Sequence, residues 1–444
     1  MPPALATLVF AAGILVLFRL DREEDSRVSP ALWIPTIWVL ISGSRMVSTW
    51  LDASAEMKSP DAYLDGSPLD RLVLTLLLAG GLLVLLWRWR RSAAFLSENG
   101  PLVVFFLYCA ASILWSEYPA VAFKRWTKIA GDFAMMLVVL TDPSPRAAVR
   151  RLVGRAVFLL IPISVLLIKY YPDLGRGYDR WTWSTYYAGV AGGKNGLGYV
   201  CLVVGLGSLW RWLATVRPED SALHRGPLIA HSIVLSAVLW LFWKADSATS
   251  LACFLVGATV LGVTTIAGTA RNTSAARPLL ASLVVVLLSG IFVGSGTGLV
   301  EAMGRDSTLT GRTDLWNRLL GMRVDPFFGT GFESFWLGER VESFWRTYWW
   351  HPNQAHNGYL EIFLNLGWVG VALLAVVMVA ALVNIRHAFS HDHESARLRL
   401  AFLIVAIIYN LTEAAFKSFH LVWIAFLLAV IARPAFVERS REAV

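Results

Sequence analysis

The sequence predicts an all-α, polytopic membrane protein of about 12–13 transmembrane helices with one large folded outer loop. Three observations carry this. Hydrophobic residues make up 56% of the 444 residues and charged residues 16%, against about a quarter charged in an average soluble chain. Apolar stretches of about 17 to 25 residues recur, each long enough to cross a hydrocarbon core. Arginine-rich connections alternate with arginine-poor ones, as the positive-inside rule requires of a chain that threads back and forth.

In chain order the expected spans are 4–20, 31–50, 69–87, 101–116, 120–141, 152–170, 189–212, 228–244, 247–268, 278–299, 358–384, 398–412 and 418–436. The first lacks a basic leading region and an Ala-x-Ala cleavage site, so it reads as a retained span. Segment 120–141 carries Lys124, Arg125, Lys128 and Asp132 in its first half, and these must face a cavity or the headgroups. Cys109, Cys201 and Cys253 lie in apolar runs without paired spacing, which implies packing residues and no disulfide frame or metal site. The net charge of +8 lies between spans and not on a basic helix, which argues against a nucleic-acid partner. The chain divides into spans 1–10 over 1–299, an outer loop with short amphipathic helices over 300–357, and three spans with a cytoplasmic tail over 358–444.

The connections holding Arg88, Arg90 and Arg91, then Arg146, Arg150, Arg151 and Arg155, then Arg211, Arg217 and Arg225, then Arg271 and Arg277, then Arg386, Arg397 and Arg399 are placed in the cytoplasm. The other set then faces outward. It holds the unusual polar residues: Trp115 to Pro119, Arg176, Arg180, Lys194, Asn195, Asp246, Ser247, Arg305, Arg312, His356, Glu361 and Glu413. A site opening away from the cytoplasm does not take ATP or nucleotide-sugars directly.

Residues 300–357 are too long for a connector and point to a folded, functional loop. Gly311 to Leu320 reads as a short amphipathic helix that ends before Pro326, and Phe327 to Phe332 supplies a glycine turn for close backbone approach. Arg312 has two readings: a phosphate ligand beside free helix N–H groups, or a surface arginine paired with Asp314. The aromatic residues Phe335, Trp336, Phe344, Trp345, Tyr348, Trp349 and Trp350 also have two, an interfacial belt or a platform for sugar rings.

His356 stands at the mouth of the span 358–384, where the positive helix end disfavours a charged imidazole. Asn357 and Glu361 share a helix face, so a base, an amide and an acid line one stripe. An intramembrane carboxylate such as Glu361 is costly without a role. Lys194 and Asn195, among Gly192, Gly193, Gly196 and Gly198, open another span, where the lysine either snorkels or binds an anion. Helix capping accounts for the cluster from Asp246 to Ser250.

Trp115 to Pro119, Lys194 to Gly198, Ser247 to Ser250, Gly311 to Trp316, Pro326 to Gly331 and His356 to Glu361 together resemble the O-antigen ligase/polymerase superfamily, nearest its exopolysaccharide-polymerase branch. The resemblance runs from about residue 100 to the C-terminus, and its specific element is His-Asn-x-Tyr-Leu-Glu. It implies a GT-C-related glycosyltransferase on the outer face of the inner membrane. Such an enzyme moves a glycan from a polyprenyl diphosphate carrier to a hydroxyl of another glycan or of a lipid-linked acceptor, without metal or cofactor. Carried onto this chain, His356 is the base and Arg312 a diphosphate ligand; from their own positions, Glu361 is expected to take part in catalysis and Asn357 and Tyr359 to contact substrate. The family often has a further arginine where this chain has Ala248, Thr249 and Ser250, so Lys194, Arg180 or Arg305 is expected to supply the second cation. A transporter or flippase for a polar lipid or anion is the alternative; it requires polar residues along a path through the membrane, whereas here they cluster at one face.

Overall fold

The computed structural model describes residues 1–22, 28–51, 66–179, 183–216, 225–269 and 312–433, and of 267–269 and 312–313 the backbone alone. The helices are α1 (Pro3–Leu20), α2 (Trp33–Ser42), α3 (Val47–Trp50), α4 (Pro68–Trp87), α5 (Trp89–Glu98), α6 (Gly100–Ala111), α7 (Pro119–Leu140), α8 (Pro145–Tyr170) and α9 (Pro172–Gly175). After a short hairpin follow α10 (Lys194–Thr215), α11 (Arg225–Ala245), α12 (Ala248–Thr269), α13 (Arg312–Leu320), α14 (Gly338–Thr347), α15 (Gly358–His391), α16 (His393–Thr412) and α17 (Leu421–Val430). The hairpin pairs β1 (Arg176–Tyr178) with β2 (Thr185–Tyr187), a small departure from the all-α expectation. Several helices start on proline, as at Pro3, Pro68, Pro119 and Pro145, where the missing N–H has no helical partner to lose.

The chain is a multi-spanning helical membrane protein. Among the described residues, eight helices are long and apolar enough to cross a bilayer: α1, α4, α8, α10, α11, α12, α15 and α16. That is fewer than the 12–13 expected, for identifiable reasons. The stretch 31–50 breaks at Gly43 into α2 and α3. The stretch 101–116 is α6 ending in a 3-10 turn, bent by 92° from α5. Segment 120–141 is the 22-residue α7, whose charged first half fails as a uniform span. Of the described residues within 418–436, only the ten of α17 are helical, and 278–299 lies outside the described residues.

Helices α8, α10 and α16 form the centre, each about two-thirds buried, whereas α1 and α4 are 11% buried and ring the outside. The different polarity of the two ends follows from the threading. At one end the arginine-rich connections are stapled by ion pairs: Arg146 and Arg433 to Asp392, Arg150 to Glu394, Arg88 to Asp142 and Arg211 to Asp21. The start of α15 and the end of α16 meet at the opposite end, and the candidate site is there.

Candidate functional site

The start of α15 is set by its cap. Asn357 Oδ1 accepts from the N–H groups of Tyr359 and Leu360, both at 3.0 Å, satisfying donors that have no helical partner. Its Nδ2 donates to the Leu411 carbonyl at 3.1 Å, which ties the start of α15 to the end of α16. Tyr359 makes a second tie, its hydroxyl donating to the Ile407 carbonyl at 2.9 Å. His356 precedes the cap with φ 52°, a left-handed conformation uncommon for a non-glycine residue. That turn brings its Nδ1 to 3.3 Å from Glu413 Oε2 and 3.4 Å from Gln354 Nε2. Gln354 Oε1 in turn accepts from Lys417 Nζ at 2.8 Å.

Glu361, one turn into α15, is met by donors. Trp336 Nε1 lies 2.9 and 3.0 Å from its two oxygens, and the Ala355 N–H and the Asn365 amide complete the set. Trp316 Nε1 donates to the Ala355 carbonyl at 2.7 Å. The residue before His356 is therefore gripped on both its amide and its carbonyl.

A cavity of about 310 Å³ opens beside this network, lined among others by Arg125 and Lys128 of α7, Glu333, Trp336, Glu361 and Lys417. Gln354 lines it too and is the link to the His356 ring. The charges noted in segment 120–141 thus split: Arg125 and Lys128 face the cavity, while Asp132 is buried and accepts from Trp38 Nε1 at 2.7 Å and from the Phe419 N–H at 3.2 Å. The Asp132 bond holds the segment that carries Lys417. Arg125 donates to the Glu333 carbonyl. Glu333 has φ 45°, and its enclosed Oε1 has no hydrogen-bond partner among the described residues.

Distant motifs meet here. Trp115 Nε1 donates to the Phe328 carbonyl at 3.2 Å, Ser116 and Ser334 share a hydrogen bond of 2.7 Å, and Arg340 pairs with Glu117. Gly331, φ 92°, packs so closely on Ser112 and Ser116 that a Cβ would fall 2.7 Å from that of Ser116. The loop aromatics follow neither expectation as a group: Phe335, Trp336 and Phe344 are buried with Leu315, Leu319 and Val341 in a small core of the loop itself. Apolar area was available inside the loop, so these rings fill it; Trp349 stays 59% exposed.

The other expected residues lie elsewhere or beyond description. Lys194 pairs with Asp179, next to the hairpin, at 3.7 Å, and Asn195 is exposed. Arg180 and Arg305 lie outside the described residues; Arg312 opens α13, with only its backbone described. Asp314 accepts from the Tyr348 hydroxyl at 2.6 Å. Gln354, Lys417 and Glu333 escaped the sequence reading, since each is one polar residue in a polar loop. Only the charges of segment 120–141 signalled a cavity.

Residues 221–375, which include the loop and His356, match the family described as O-antigen ligase. The exopolysaccharide production protein ExoQ of Rhizobium meliloti (strain 1021) is 24% identical over 306 residues. The chain is distantly related to the O-antigen ligase superfamily. The ExoQ alignment covers 65% of this chain and 66% of the relative, just under two thirds of its length. These matches relate the chain to membrane proteins of polysaccharide biosynthesis. Within the O-antigen ligase match fall α13, α14, the Glu361 network and the first half of α15.

Proposed function

We propose that this protein transfers a glycan from a polyprenyl diphosphate carrier to an acceptor hydroxyl, in the manner of GT-C-related glycosyltransferases. The observation that supports it is a histidine paired with a carboxylate and joined through Gln354 to a cavity that presents Arg125, Lys128 and Lys417. A histidine base suits a hydroxyl nucleophile, and cations suit a leaving group on which charge develops. His356 takes the acceptor proton as the oxygen attacks the anomeric carbon. The bond from that carbon to the diphosphate oxygen breaks, and the carrier leaves with the electron pair. A single displacement of this kind inverts the anomeric centre, and protein cations supply the charge the diphosphate needs. Arg312 remains a proposed diphosphate ligand, and Glu361 positions the His356 segment through Ala355.

The arginine-rich end, opposite the site, is the cytoplasmic one in this reading, so the site faces outward from the cytoplasmic membrane. The relative's named role in exopolysaccharide production favours a second glycan as the acceptor. The test is transfer by the full chain in lipid vesicles, using lipid-linked oligosaccharide extracted from a strain lacking the gene. His356→Ala is expected to lower the rate ~10²- to 10⁴-fold while the folded yield persists. Full activity in that variant removes His356 as the base.

A further inference from the structure

His356 Nδ1 faces two partners with opposite demands. Glu413 Oε2, at 3.3 Å, can only accept when ionised. Gln354 has its Oε1 turned to Lys417, which leaves its Nε2, a donor, 3.4 Å from the same ring nitrogen. One nitrogen cannot satisfy both: with a proton it serves Glu413, without one it serves Gln354. The carboxylate bond is charge-assisted and the stronger of the two. We propose that Glu413 is the positioning residue of His356, holding the proton on Nδ1 so that Nε2 is the free base, and leaving the Gln354 amide to donate into the cavity.

This inference rests on the glycosyl-transfer reading above. During transfer the acceptor proton passes to Nε2, and the imidazolium keeps its Nδ1–H toward Glu413. The pair is well placed for this, with side chains 23% and 12% exposed, so water competes little. Its position does not depend on the carboxylate alone. The Gly358 N–H donates to the Glu413 backbone carbonyl at 3.0 Å, so a side-chain change leaves that tie in place. Among the described residues, Lys417 reaches the pair through Gln354, and Glu361 holds the Ala355 amide. Tyr409 of α16 and Cys253 of α12 lie within electrostatic reach of Glu413.

The test is the pH dependence of kcat and the donor KM, in vesicles with the same extracted lipid-linked oligosaccharide, for wild type, E413Q, E413D and H356A. E413Q is expected to lower kcat by about 10- to 10³-fold with donor KM unchanged. Its rise of kcat with pH is expected to move to lower pH, because a protonated ring loses its neighbouring anion. E413D keeps the carboxylate, and is expected to recover part of kcat and the wild-type pH profile. Wild-type kcat in E413Q beside an inactive H356A overturns the role of Glu413 and leaves the base intact. An E413Q loss shared by E413D, with the pH profile unmoved, also overturns it in favour of a structural role. No transfer by the wild-type chain removes the function reading and this inference together.

Discussion

The amide of Gly331 donates to the carbonyl of Asn365 at 2.9 Å, across a break in α15. The break sits at Gly367, whose φ of 63° and ψ of −166° interrupt the helix. Such a break frees carbonyls at membrane depth, which must find partners. The loop supplies them: Thr330 N–H meets the Leu364 carbonyl, while Trp368 and Val369 donate to Pro326 and Phe327. Glycine is required on both sides, since a Cβ on Gly329 would lie 2.6 Å from the Asn365 oxygen and one on Gly367 would overlap the Phe327 carbonyl.

Gly367→Ala therefore fails twice, by overlap and by a positive-φ extended backbone that is essentially reserved for glycine and costs about 1–3 kcal/mol for another residue. A fall of several degrees in the melting temperature of the detergent-solubilised protein is expected. An unchanged melting curve would mean the loop does not pack on the break.

Glu361 receives donors from Trp336, Ala355 and Asn365, so its role in the structure is to anchor the loop on α15. Glu361→Gln keeps the shape but turns an NH₂ group toward N–H donors. Leaving buried donors unsatisfied costs about 1–3 kcal/mol each. Lower thermal stability together with lower kcat is expected, and thermal unfolding beside transfer assays checks both.

Lys128 faces the cavity and makes no hydrogen bond among the described residues. A charge-assisted hydrogen bond to a substrate anion is worth about 1.5–3 kcal/mol. Lys128→Met is expected to lower kcat/KM for the lipid-linked donor about 10- to 100-fold, with Lys128→Arg losing less. Equal activity in the Met variant would take this cation out of the site.

At the opposite end, Asp392 is shared by Arg146 at 2.6 Å and Arg433 at 2.7 Å. Burial acts to raise its carboxyl, but Arg433 and Arg146 outweigh that and hold it below the usual carboxylate range. Because the folded value is the lower one, its stabilisation is complete above the unfolded value of about 3.9. That stabilisation is lost as pH falls through the folded value. Asp392→Asn is expected to cost on the order of 3 kcal/mol at neutral pH, and less as the pH is lowered below about 3.9. Thermal unfolding at pH 7 and pH 3.5 checks the difference.

Composition and hydropathy determined by themselves that the chain is a helical membrane protein, because burying 20 apolar residues in lipid is a local property of a segment. Eight of the expected spans are of this kind. The motif around His356 was also legible, since a titratable residue beside an apolar run is conspicuous in one dimension. Tertiary structure alone decided the rest. Glu413 and Lys417 stand more than fifty residues from His356 and Gln354, and the meeting of α15 and α16 brings them together. It also decided between cavity and headgroups for Arg125 and Lys128, and turned the loop aromatics into a core. Hydropathy reports how far a segment avoids water, but not which way a polar side chain points or what faces it. Those depend on contacts between distant segments, and the candidate site is made of such contacts.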